Sequence, residues 1–338
     1  MGSSGFAVQS VQVAGDDALC VYVQVRGKDE NQERNADEHE EEEEEIGFDE
    51  HFFDPGYSVA GTTGFLLWEG GKRMTARLHE LLPQCVDRCR RGAGEGRMLA
   101  VELGAGTGVV GIAAAKMGAD VILTDLPSVV EGSLMANIAL NKTPDSSSDN
   151  AHAAVHQAEN GARDNATICS DGGERATGGE GAMAQLLPTS TTTDATMMTC
   201  VGRGRCCAVA LDWEEAEVGV AHVLAATKGA CIDVILSAES VWLKELVEPF
   251  ANAFALLMQR AGGDTIVSSA SESSSPPLGL ICCRDRSSND SRTFARPSDV
   301  VDALQSRGCS LTLLFREESL EDPGRDLLFY QVRRCCCR

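Results

Sequence analysis

The chain has 338 residues, 43% of them apolar, and a formal charge of −22; that apolar content can fill a sizeable core, while the charge excludes partners bound through clustered Lys and Arg, such as nucleic acid or an anionic membrane. No run is apolar for long enough to cross a bilayer, and "MGSSGFAVQS" lacks the basic-then-apolar layout of a secretory signal, so a cytoplasmic or nuclear monomer is expected. The 14 cysteines include no pair of C-x-x-C units and read as small buried apolar residues, with no metal site expected.

Residues 8 to 25 alternate apolar and polar around a Gly-Asp-Asp turn, and residues 1–28 are expected to be a β-hairpin. The block 29–50, "DENQERNADEHEEEEEEI" at its heart, repels itself and reads as a solvated acidic linker, with docking to a basic partner as its sharper use. Residues 51–338 then form one α/β domain. Leu66, Leu67, Met74, Leu78, Leu81 and Leu82 predict a helix ending near Pro83. Met98 to Leu103 is a buried strand, Gly108 to Met117 a helix apolar nearly all round, and "DVILTD" (120–125) a second strand. Val130, Leu134 and Ile138 give the next helix one apolar face.

Residues 143–203 are rich in Ser, Thr, Gly, Asp and Asn and are expected to be a disordered insertion. The alternation resumes with the strand 206–213, a helix over 214–229, the strand 231–240 and a helix carrying Leu243, Val247, Phe250, Phe254 and Leu257, which Pro249 should kink or restart. A polar spacer, 262–276, precedes the strand "LGLICC"; Ser298 then caps a helix ending at Gly308. "LTLLF" and "DLLFYQV" stand too close for a helical crossover and should pair antiparallel. The fold expected is α/β: a doubly wound, mainly parallel, seven-stranded sheet, Rossmann-like, ending in an antiparallel hairpin strand.

The stretch "RMLAVELGAGTGVVGI" (97–112) is a strand running into a glycine turn that can be read in two frames. Gly104, Gly106 and Gly108 give G-x-G-x-G; Gly106, Gly108 and Gly111 give the dinucleotide pattern G-x-G-x-x-G. In either frame glycines let backbone approach a ligand, the next helix offers N–H groups, and an acid after the second strand, here Asp125, accepts ribose hydroxyls. The apolar run ends at Leu103, which favours the first frame. Glu102 would repel a pyrophosphate but welcome the ammonium and sulfonium of S-adenosylmethionine, and no second nucleotide half is evident. S-adenosylmethionine is therefore the expected cofactor, and Gly111 moves to helix packing.

With those residues the chain resembles the seven-β-strand methyltransferases of family 16, the group holding the methyltransferase-like 21 protein-lysine methyltransferases. The carriers, between about Gly61 and Val332, are "GTTGFLLWEGG", "VELGAGTGVVGI", "VILTDLP" followed by "NIALN", "ALDWE" and "DVILSAESVW". The resemblance implies a class I methyltransferase fold in which Trp68 and Trp213 flank the cofactor, the latter beside adenine. It also implies that Gly104, Gly106 and Asp125 hold the methionine and ribose portions and that Ala238 lines the pocket.

The family's lysine enzymes carry Asp-x-x-Tyr after the fourth strand, where this chain has Glu239-Ser240-Val241-Trp242. Glu keeps the charge on a longer arm, and Trp keeps the aromatic wall without the hydroxyl. Glu239 and Trp242 are thus the expected acceptor-side catalytic residues, Glu239 receiving or stabilising a lysine proton. The implied activity is methyl transfer to a lysine of a protein substrate. The alternatives are a nicotinamide-like small amine as acceptor, a non-catalytic binder, and an NAD-dependent oxidoreductase.

Overall fold

The computed structural model describes residues 6–13, 19–26, 63–89, 97–144, 197–261, 276–286 and 292–335. They fall in one unit, Met1–Lys142 with Ala195–Arg338; the other, Thr143–Asp194, is described only at Thr143 and Pro144. The acidic block 29–50 and the spacer 262–275 lie outside the described residues, as do the Gly-Asp-Asp turn and most of the insertion.

The centre is an eight-stranded sheet, β5-β6-β4-β3-β7-β8-β10-β9. Its elements are β3 (Leu99–Leu103), β4 (Asp120–Asp125), β5 (Thr199–Val201), β6 (Gly204–Ala210), β7 (Val234–Ala238), β8 (Leu278–Arg284), β9 (Cys309–Glu318) and β10 (Asp326–Arg334). Strands β6, β4, β3, β7 and β8 run parallel. All five residues of β3 are buried, as a central strand covered on both faces requires. β10 lies antiparallel between β8 and β9, the expected C-terminal hairpin.

One strand exceeds the seven expected. β5 falls within the stretch read as insertion, and pairs antiparallel with β6 at the sheet edge. A three-residue strand is too short to leave a periodic signal.

The helices cover both faces. On one side α1 (Glu69–Cys89) and α2 (Val109–Lys116) pack with a third helix, α3, built from Pro127–Val129, a π-type turn Val130–Leu134 and Met135–Leu140. Met74, Leu78, Val110, Ile112 and Leu134 form their core. On the other side α4 (Ala216–Ala226), α5 (Val247–Arg260) and α6 (Pro297–Ser306) bury Val220, Phe250, Phe254 and Leu304. The sheet is doubly wound.

Three local expectations are corrected. α1 runs past Pro83 to Cys89, since a proline removes one backbone hydrogen bond without unmaking the turns beside it. A 3-10 turn, Lys244–Leu246, gives way to α5 at Val247, so Pro249 sits in the first turn of the α-helix rather than inside one, where its missing N–H would have no partner in the helix anyway. Arg296, not Ser298, precedes α6, with Pro297 as the first helical residue and Asp299 Oδ2 accepting the Arg296 N–H at 2.9 Å.

The N-terminal strands β1 (Phe6–Gln12) and β2 (Cys20–Arg26) pair in register, antiparallel. Val21, Val23 and Val25 alternate inward into the core shared with α1 and α2. Asn137 Oδ1 accepts the Gln24 N–H at 2.7 Å, while Asn141 binds both Tyr22 backbone groups, N–H at 3.0 Å and carbonyl at 2.6 Å. The hairpin is therefore fastened to α3 by two asparagines of "NIALN".

Cys206, Cys207, Cys282 and Cys283 are buried on β6 and β8 as unpaired thiols. Burial pushes Cys207 and Cys283 up to about 12, which keeps them protonated and inert. Among the described residues no His, Cys, Asp and Glu group could hold a metal ion, and no helix is long and apolar enough to cross a membrane.

Candidate active site

The chain enters the sheet at β3, builds outward through β4 and β6, then crosses back to β7 and β8. The order reverses between β3 and β7, and in an open α/β sheet a crevice forms at the carboxyl ends of the strands flanking such a reversal. A cavity of about 290 Å³ lies there. Trp68, Glu102, Gly104, Gly106, Asp125, Trp213, Ala238, Glu239 and Trp242 all line it, so the structure brings together every site residue read from the sequence.

The glycine turn resolves its own frame. Gly104, Gly106 and Gly108 have φ of 64°, 55° and 75°, the left-handed region that favours glycine. Gly111 is an ordinary residue of α2. A side chain at Gly104 would meet Ser240 Cβ at 2.6 Å and Trp213 at 2.9 Å, whereas at Gly111 it would meet Leu123 at 2.2 Å. Gly104 thus admits the cavity walls, and Gly111 admits the packing of α2 on β4.

The two acids are already engaged by backbone. Glu102 Oε2 accepts the Gly111 N–H at 2.8 Å. Asp125 accepts the Gly106 N–H through Oδ2 and the Leu126 N–H through Oδ1, each at 2.8 Å. These bonds stiffen the turn and leave further lone pairs for a ligand. Burial pushes Glu102 up to about 8, with the Asp125 charge adding to it, and burial pushes Asp125 up to about 6. Neither carboxyl pairs with a Lys or Arg among the described residues.

The opposite wall starts at the end of β7. Ser240 Oγ accepts from Ser237 Oγ at 2.9 Å and faces the carbonyls of Leu103 and Gly104 at 3.1 and 3.0 Å, tying this segment to the glycine turn. Trp213 packs edge-on against Phe250, with ring centroids 5.2 Å apart, and Trp242 lies 6.2 Å from Phe294. Glu239 has φ of 52°, a strained conformation for a residue with a side chain, held by its N–H bond to the Cys282 carbonyl at 2.9 Å.

The Glu239 carboxylate is occupied by groups that the sequence reading missed. Its side chain is fully buried; Oε1 meets Arg284 Nε at 2.8 Å and an Arg286 guanidinium nitrogen at 2.6 Å, and Oε2 accepts the Gly70 N–H at the start of α1. Arg284 also reaches Glu69 Oε2 at 2.9 Å. Glu69 Oε2 in turn accepts from Ser319 Oγ at 2.5 Å, and Oε1 accepts the Leu320 N–H at 2.8 Å. Burial opposes ionisation of Glu69, but these bonds and Arg284 outweigh it and hold the carboxyl below its ordinary value. The only sequence signal for this cluster is the alternate spacing of Arg284 and Arg286 at the end of β8, which puts both on one side.

The cavity suits a flat aromatic group joined to a polar, positively charged one: a left-handed glycine cradle, three indoles, and the carboxyls of Glu102 and Asp125. A model described as lysine methyltransferase matches residues 58–161, the segment from before Trp68 through α3. Among solved structures, the chain is similar to magnesium protoporphyrin IX methyltransferase from Synechocystis PCC 6803 with bound SAH, at 10% identity and a TM-score of 0.34 over 79% of this chain and 89% of that one. It is also similar to the glycopeptide N-methyltransferase MtfA complexed with S-adenosylmethionine, at 11% identity and a TM-score of 0.36 over 74% of this chain and 92% of that one. The likeness to family 16 read from the sequence is borne out along the matched segment.

Proposed function

We propose that this chain, an S-adenosylmethionine-dependent methyltransferase, transfers methyl to the side-chain amine of a lysine in a protein. The observation that carries the reading is the joint placement of the glycine cradle, Asp125, Glu102 and the three tryptophans around one cavity, inside and beside a segment that matches a lysine methyltransferase family.

Gly104 and Gly106 would approach the methionine portion, Asp125 the ribose, and Trp213 the adenine, with Trp68 and Ala238 completing the pocket. Glu102 would face the positive charges at the methionine end, directly or through water. When bound, the cofactor supplies an activated methyl on its sulfonium. Transfer is an in-line displacement that needs only a neutral, well-aimed acceptor. The aromatic walls at Trp68 and Trp242 favour the neutral amine over the ammonium by excluding water. The occupied Glu239 carboxylate is less suited to taking the acceptor proton than to shaping this wall, and water at the mouth is the simpler acceptor.

The direct experiment incubates the protein with radiolabelled cofactor and cell lysate, then treats the products with protease. Label that stays large until proteolysis, and is recovered as methyl-lysine, supports the reading. Label in small molecules from the start defeats it.

A further inference from the structure

Three successive residues, Trp68, Glu69 and Gly70, carry the chain from the cavity wall into α1. Each is held by a different member of one ion cluster. Gly70 gives its N–H to Glu239, Glu69 pairs with Arg284, and the Arg286 guanidinium lies over the Trp68 ring, 4.6 Å from its centroid. The side chains of Glu69, Glu239, Arg284 and Arg286 are 4%, 0%, 8% and 10% exposed. Two positive and two negative charges thus balance in a nearly dry setting, where an unpaired one would be costly.

Arg286 does not line the cavity, but Trp68 and Glu239 do. Trp68 Nε1–H is fixed at its other edge by the Thr63 carbonyl at 3.1 Å. The indole therefore has one face backed by a guanidinium that Glu239 holds in place, and nothing about a helix start requires this. A helix N-terminus needs an acceptor, which Glu239 supplies; a stacked cation adds nothing to the cap.

We propose that Arg286 is a positioning residue: anchored by Glu239, its guanidinium lies over Trp68 and fixes that ring, which both completes the cofactor pocket and faces the acceptor, in the cavity wall. This rests on the methyl-transfer reading above only for its kinetic consequence. A guanidinium on an aromatic face contributes about 0.5–2 kcal/mol, so loss of the stack should raise the KM of a protein acceptor by roughly tenfold. The cofactor Kd should change by a smaller factor than that KM, because Trp68 only completes the cofactor pocket while the glycine cradle and Asp125 stay in place.

All three tryptophans of the chain line this cavity, so replacing Trp213 and Trp242 by Phe leaves Trp68 as the sole indole emitter. In that background acrylamide quenching of Trp68 is compared for the parent, Arg286→Lys, and the pair Arg286→Gln with Glu239→Gln, which removes both charges and leaves no buried ion alone. The expected result is a severalfold rise in quenching for the double variant, with Lys falling between because it keeps charge but not the planar stack. Equal quenching in all three overturns the proposal whatever the acceptor is. In the chain with all its tryptophans, an acceptor KM that Arg286→Lys leaves unchanged also overturns it. Absence of any label in lysate protein with the wild type instead sinks the acceptor reading, and the quenching result then decides this proposal.

Discussion

Gly111 donates its backbone N–H to Glu102 Oε2 across 2.8 Å, joining the first turn of α2 to the central strand β3. Glu102 is buried in the cavity wall and is pushed up to about 8 by burial and by the Asp125 charge, and Asp125 is pushed up to about 6 by burial. A cationic ligand stabilises the ionised carboxylates, so their protonation competes with binding. Cofactor affinity should rise as pH goes from about 6 to about 8, with proton release on binding near pH 7. Calorimetry in buffers of different ionisation enthalpy measures that release, and Glu102→Gln should reduce it.

The same acid sets a stability trend of opposite sense. Its folded pKa lies above the ordinary value of 4.5, so between those values the folded state binds more protons than the unfolded one. The unliganded protein should therefore lose this contribution as pH climbs from about 5 to about 8. Comparing Tm for wild type and Glu102→Gln over that range tests it: the difference between the two should narrow or reverse at low pH in favour of wild type.

Gly104→Ala and Gly111→Ala should fail differently. The first puts a side chain in the left-handed region, about 1–2 kcal/mol, and drives it against Ser240 and Trp213 at the cavity edge. Its cofactor affinity should drop by more than about tenfold. The second overpacks α2 against Leu123, a defect of about 1–3 kcal/mol, so a lower Tm should dominate over any loss of affinity. Equal cofactor loss with unchanged Tm in both would restore Gly111 to the ligand.

Glu239→Ala should be a folding defect before it is a catalytic one. It leaves Arg286 without its carboxylate partner and Arg284 with Glu69 as its remaining close one, a change worth about 3–5 kcal/mol when a buried pair is broken. Urea unfolding should show a large drop in midpoint for Ala and a smaller one for Gln, which can still accept from Gly70. A stable, fully folded Glu239→Ala with no activity would instead support a proton-accepting role.

Asp125→Ala should weaken cofactor binding by at least about tenfold, since it removes the acceptor for both the Gly106 and Leu126 N–H groups along with the ribose contact expected of it. Asp125→Asn keeps the shape and should recover part of the affinity, measurable by titration of tryptophan emission.

What was legible in the sequence was local or ordered along the chain. The apolar run ending at Leu103 gave the strand and therefore the glycine frame, and Asp125 followed from the end of the next strand. Trp213, Ala238, Glu239 and Trp242 were placed by motifs occurring in the right order. The ion cluster was not legible, because Glu69, Glu239, Arg284 and Ser319 are separated by up to 250 positions, and nothing in their spacing shows that four charged or polar groups converge. Glu239 reads from the sequence as an acceptor-side residue; it lines the cavity, but its arginine partners on β8 and beyond leave no mark in its own motif. The π-type turn in α3 and the short β5 escaped for a different reason: neither is long enough to carry a period.

The two asparagines that fasten the N-terminal strands also tie them to the glycine turn. Asn137 Nδ2–H bonds the Thr107 carbonyl of the glycine turn at 2.9 Å while Asn137 Oδ1 holds Gln24. One amide thus bridges the outermost strand pair and the cofactor loop. A truncation at residue 58, where the family match starts, would strip Val21, Val23 and Val25 from the core and leave that amide without its Gln24 partner, next to Thr107 of the cavity lining. The minimal folding unit is accordingly larger than the family segment, and β1 and β2 serve as a buttress whose loss would be felt in the glycine turn.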